Sequence, residues 1–284
     1  MRLGIAVNTE NCMACYNCSM ACKDEHCGFG SAISAPQPHE GQFWVNIQSR
    51  ERGDDTRKVK TINVPVICGT LETPEFEKAI AEGTMVKRPD GITYIDPEKS
   101  KGHMELVKAS PYGGIFWNEE LQIAQKCTMC AELLDKPGYK NAQPRCVEAC
   151  PNEAIAFGDL DDPESEVSKI IAANKVTPLP GAEGIKTNVV YLNLPTVFLA
   201  GSVYLPGDET GEDPADGAKI TLTNKATGEK LEVTTNYFGD WEKEELTIGA
   251  EYDISIEMPG YKTAALSALA DTDHYVGEII LEKE

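Results

Sequence analysis

Two short cysteine runs constrain this chain more than any other feature. The first, CMACYNCSMAC, places Cys12, Cys15, Cys18 and Cys22; the second, CTMC followed by PRCVEACP, places Cys127, Cys130, Cys146 and Cys150 ahead of Pro151. They account for eight of the ten cysteines in 284 residues, so the pattern needs a chemical reason. C-x2-C spacing on a tight loop turns successive thiols, and the peptide N–H groups between them, toward one centre. A disulfide framework belongs to short, oxidised, secreted chains, and this one is long. Tetrahedral zinc also takes C-x2-C pairs and stays open as a structural alternative. The compact C-x2-C-x2-C-x3-C run favours iron, because it offers three thiolates to one cluster and sends the fourth to another. Two [4Fe–4S] clusters are therefore expected.

On that rule one cluster takes Cys12, Cys15 and Cys18 with Cys150 from the other run, and the second takes Cys127, Cys130 and Cys146 with Cys22. Each run completes the other's site, which would tie cluster assembly to the fold. RLGIAV and EAIAFG read as short strands, CSMACKDEH and CTMCAELLDK as short helices. That order predicts a ferredoxin-like pair of βαβ halves over residues 1–160. Lys126 and Arg145, beside the cysteines, are either cations that tune a cluster or ordinary surface charges.

Between the runs lies the same frame without its ligands. In DPEKSKGHMELVKASPYGG the ferredoxin spacing falls on Ser100, His103, Leu106 and Ser110, followed by Pro111. In CGTLETPEFEKAI a C-x2-C-x4-C frame keeps Cys68 and substitutes Leu71 and Phe76. Residues 60–117 thus read as a second, degenerate ferredoxin-like unit inserted into the first, coincidence of spacing being the plain alternative. Cys27 and Cys68 are the spare cysteines, two thiols where a cluster wants four. His103 and Ser110 could add nitrogen and oxygen, but loop His and Ser are usually hydrogen-bonded and a spare cysteine is usually a small buried hydrophobe. The same ordinary reading applies to His26, His39 and His274. The degenerate site of Cys68, Leu71, Phe76, Ser100, His103, Leu106 and Ser110 is expected to contain side chains and no iron.

The formal charge of −20 argues against nucleic-acid backbones and anionic membranes as partners. The most apolar run, Val189 to Leu205, is broken by Asn193 and Pro195, so no direct membrane insertion is expected. The opening MRLGIAVNTENC lacks a basic segment leading into a long apolar one, which predicts a cytoplasmic location. After Pro163 the cysteines stop. Residues 161–196, with VTPLPGAEGIKT, read as a linker, and 197–284 as an antiparallel β-sandwich, from the alternation in AKITLTN, KLEVTTN, EYDISIEM and VGEIILE. The predicted fold class is α+β, with no catalytic triple in either part.

FWVNIQSRERG, DGITYIDPEKSKG, FWNEELQIAQKCTMCAELLD and PRCVEAC together resemble the iron–sulfur subunits of the dimethyl sulfoxide reductase family of molybdopterin enzymes, and in particular a transhydroxylase branch. DGAKITL, TTNYFGDWEKEEL and GAEYDISIEMPGYKT resemble transthyretin-like or carboxypeptidase-regulatory domains, implying a docking or stabilising module. The first resemblance implies a heterodimer whose large subunit holds a molybdopterin with molybdenum or tungsten and acts on an aromatic polyol. This chain would carry electrons and do no bond chemistry. It also implies that the outer cysteine runs lie toward the active subunit while the middle unit leads electrons outward, with cysteines where this chain has Leu71, Phe76 and Ser110. Alternatives are the electron-transfer subunit of a phenolic dehydroxylase or hydroxylase, or of another molybdopterin oxidoreductase, with an external redox partner, and a free-standing ferredoxin with an adhesive β-domain.

Overall fold

Strand β1 (Leu3–Asn8) is buried from Gly4 to Val7, and the Asn8 side chain accepts a hydrogen bond from the Glu10 N–H, turning the chain into the first cysteine loop. Helix α1 (Asn17–His26) buries Cys18, Cys22 and His26, each four residues from the last, on one face. In the computed structural model, which describes residues 1–139, 142–207 and 212–284, the chain forms two compact units. The first comprises Met1–Ser49 and Asn63–Leu194, the second Arg50–Ile62 and Pro195–Glu284.

After α1, β2 (Val45–Asp55) and β3 (Lys58–Ile67) pair in a two-stranded sheet. Helix α2 (Pro74–Glu82) begins where it does because Thr73 caps the Phe76 N–H and Pro74 opens the first turn; Gly83, at φ +77°, ends it. Two short hairpins follow, β4 (Met85–Lys87) with β5 (Thr93–Ile95), and β6 (Ile115–Asn118) with β7 (Ile123–Lys126). The one-turn helices α3 (Ala131–Leu134) and α4 (Arg145–Glu148) adjoin the second cysteine run. Strand β8 (Ile155–Asp159) pairs antiparallel with β1.

Residues 161–196 are no linker. They carry α5 (Glu166–Ala173) and β9 (Val189–Leu192), which pairs parallel with β1 to make a sheet of order β8-β1-β9. Val167, Ile170 and Ile171 of α5 pack with Ala6 and Leu192, and burying that apolar stripe is what holds the segment on the first unit.

The second unit has two four-stranded sheets. One joins β10 (Leu199–Leu205), β11 (Asp213–Pro214), β14 (Asp240–Lys243) and β17 (His274–Ile280); the other joins β12 (Lys219–Asn224), β13 (Lys230–Thr234), β15 (Ala250–Glu257) and β16 (Ala264–Ala270). Period-two alternation in β12 and β15 turns Ile220, Leu222, Ile254 and Ile256 onto Leu199, Val203 and Trp241 in one core. This unit also takes in Arg50–Ile62, outside the expected span of 197–284. Charge explains the addition: Arg52 Nε and Nη2 donate to Asp273 at 2.9 and 2.6 Å, and Lys60 pairs with Glu242 and Glu244. Among the described residues, no helix is long and apolar enough to cross a membrane.

Candidate metal centres

The first unit gathers the eight cysteines of the two runs into two groups. Cys12, Cys15, Cys18 and Cys150 line one cavity, walled by Ile47, Pro65 and Ile155. Ala14 and Tyr16 between them have positive φ, a conformation that turns neighbouring N–H groups to one side of the loop. The Ala154 N–H donates to Cys150 Sγ at 3.2 Å. Cys15 is exposed, Cys12 and Cys150 half-buried and Cys18 buried, where burial pushes its thiol up to about 11.

Cys22, Cys127, Cys130 and Cys146 are all buried. Cys127 and Cys130 act electrostatically on the Cys22 thiol, and Cys130, Cys127, Cys22 and then Cys18 on that of Cys146. Met129 and Cys130 share φ +52°, and the Met129 N–H donates to Cys127 Sγ at 3.3 Å. Burial raises all four thiols, Cys127 to about 11, because the thiolate loses its hydration, and repulsion between neighbouring thiolates adds to the rise. A polycationic centre reverses that cost and takes up the thiolates as protons leave. Two sets of soft donors, flanked by amide N–H groups, suit iron–sulfur chemistry.

His26, given only an ordinary reading from the sequence, enters the second group. Its Nε2 lies 3.8 Å from Cys130 Sγ, its Nδ1 3.3 Å from Glu132 Oε1, and its ring centroid 4.7 Å from that of Trp44. Burial lowers its pKa, with Glu132 and Glu25 opposing. The signal was local: His26 follows Cys22 by four residues, one helical turn along the same face. Arg145 is a half-exposed cation bound to Glu25 at 2.8 Å and Glu148 at 2.9 Å.

The middle frame folds differently. Cys68, Leu71, Phe76 and Leu106 belong to one apolar cluster with Met85 and Ile115, and Cys68 and Phe76 are wholly buried. Burial raises the Cys68 thiol while neighbouring Lys126 and Ser110 lower it. Gly114, at φ +86°, lies so close that a Cβ there would sit 2.7 Å from the Cys68 Cβ. Ser100 is buried, whereas His103 turns to solvent and bonds Glu105 at 2.7 Å, so it is not brought to the others. Cys27 Sγ lies 3.3 Å from His39 Nδ1, and His274 Nδ1 2.5 Å from Asp54.

A family model described as a 4Fe-4S dicluster domain matches residues 59–160. The small subunit of pyrogallol hydroxytransferase from Pelobacter acidigallici is 33% identical over 266 residues, 90% of each chain. A sulfite dehydrogenase subunit from Allochromatium vinosum is 30% identical, over 59% of this chain and 72% of its own. The iron–sulfur subunit of an arsenate respiratory reductase from a Shewanella species is 26% identical, over 68% of this chain and 96% of its own. With two groups of four thiols of iron–sulfur character and a third of all positions shared across nine-tenths of a curated relative, the chain belongs to the family of iron–sulfur electron-transfer subunits of molybdopterin oxidoreductases.

Proposed function

We propose that the chain carries two [4Fe–4S] clusters, one on Cys12, Cys15, Cys18 and Cys150 and one on Cys22, Cys127, Cys130 and Cys146, and serves a large molybdopterin-binding subunit that moves hydroxyl groups between aromatic polyols. Each cluster supplies one-electron transfer when bound. The chain's own part is to present thiolates, to aim the Met129 and Ala154 N–H groups at sulfur, and to exclude water from the second group. In this reading 1–160 is a ferredoxin-like double unit with a degenerate second half at 60–117, 197–284 is a transthyretin-like sandwich that docks or stabilises, and the protein is cytoplasmic.

The observation that carries the reading is the middle frame. Leu71, Phe76 and Leu106 share one buried apolar cluster with Cys68, which supports reading this part of the frame as packed core. Electrons on the second cluster then have no further cluster to reach in this chain. Such a relay suits hydroxyl transfer, which has no net redox change, and a relative of that activity matches over most of both chains. A second reading, a phenolic dehydroxylase or hydroxylase fed from outside, draws on the dehydrogenase and reductase subunits among the relatives. Assaying the purified complex on polyhydroxylated benzenes separates them: hydroxyl transfer without an added electron donor or acceptor is expected, and strict dependence on one would favour the second reading.

A further inference from the structure

Lys126 ends β7 directly before Cys127 and is only 3% exposed. Its Nζ lies 2.7 Å from the Thr93 carbonyl, 3.0 Å from Gly69, 3.1 Å from Cys127 and 3.4 Å from Cys68. All four neighbours are acceptors. A neutral amine would turn its lone pair toward oxygen, whereas an ammonium donates three N–H bonds, so this cage selects the charged form. Among the described residues the partners of Nζ are these four carbonyls, and no carboxylate is paired with it. A buried cation without an anion is costly, and the acidic side chains borne by the residues that cage it are the Cys68 and Cys127 thiols. Cys68 sits in an apolar core, but Cys127 belongs to the second group of four thiols. A cluster held by four thiolates is net negative, and more so when reduced.

We propose that Lys126 is the built-in counter-charge of the cluster on Cys22, Cys127, Cys130 and Cys146, stabilising its reduced state and raising its potential without acting on the first cluster. This rests on the cluster assignment above. The four carbonyls that hold the ammonium belong to Cys68, Gly69, Thr93 and Cys127, and none belongs to a cysteine of the first group. The inference also gives the ligand-poor frame a role, because the Cys68–Gly69 turn provides two of the four carbonyls that hold the ammonium. Lys126 is a positioning residue, acting through the cluster and touching no substrate.

The test is an EPR-monitored redox titration of the whole complex carrying Lys126→Met or Lys126→Arg, with signals assigned by a Cys15→Ser variant that disturbs the first group alone. In Lys126→Met, at fixed ambient potential, the reduced-to-oxidised ratio of the second cluster should fall about tenfold, 59 mV for a one-electron couple. The first cluster should stay within about twofold, and Lys126→Arg should restore the native ratio. Loss of the second cluster in Lys126→Met but not in Lys126→Arg also supports a charge requirement. Equal shifts in both clusters, no shift in either, or Met and Arg behaving alike would overturn it. Native complex without a second cluster signal would overturn the cluster assignment itself, and the inference with it, before any substitution is made.

Discussion

Cys68 shows what a thiol becomes when its neighbours are Leu71 and Phe76: a small buried hydrophobe, protonated because burial disfavours the thiolate. Its surroundings now contribute stability through packing. Phe76→Ala should destabilise the first unit by about 3–5 kcal/mol in chemical denaturation, with iron content unchanged, since the side chain lies wholly inside the core. Iron loss in that variant would mean the frame still serves a metal. At the cysteines the prediction is crossed: Cys22→Ala should perturb the cluster shared with Cys127, Cys130 and Cys146, and Cys150→Ala the one shared with Cys12, Cys15 and Cys18. EPR or Mössbauer spectra of Cys22→Ala with only the first cluster lost would refute the crossing. These eight residues stand out in the sequence because ligand spacing is a local property of a loop. His26 was legible only in part: its spacing puts it on the face of Cys22, but its approach to Cys130 depends on how α1 meets a segment a hundred residues away.

Among the elements, alternation made β12, β13 and β15 readable, since each has one face on the core and one in water. The pairing of β9 with β1 was hidden by the Pro- and Gly-rich stretch before it, and parallel pairing leaves no turn signal between partners. The hairpin tip was hidden for another reason: the ion-pair partners of Arg52, Lys58 and Lys60 lie far along the chain. Glu242 offers a check on that tip. Burial alone would raise its pKa, but Lys58, 2.5 Å away, and Lys60 outweigh this and hold it below the usual carboxylate range. A depressed folded pKa means that the pair's stability is present above the ordinary carboxylate pKa and is lost as pH falls through the lowered value. Glu242→Gln should therefore cost on the order of 1 kcal/mol near neutral pH. The difference from the native protein should shrink toward zero in acid urea titrations; a penalty that persists there would assign the loss to packing instead.

For the whole molecule, the frame that has kept its spacing without its cysteines links composition to role. Protein purified without oxygen should be brown and hold about eight iron and eight acid-labile sulfide per chain, as two [4Fe–4S] clusters require; stoichiometric zinc in a colourless sample would replace the iron reading. From its native source it should come with a much larger pterin-binding chain. The proposed relay requires the second cluster to be the last one in this chain, with the core around Cys68 closed to metal. Anomalous scattering at the iron edge, on crystals of the anaerobic complex, decides that point. Two cluster peaks are predicted in this chain, one at each group of four cysteines, with side-chain density alone among Cys68, Leu71, Phe76, Leu106 and Ser110; a third iron peak there would overturn the closed core and return external electron delivery to first place.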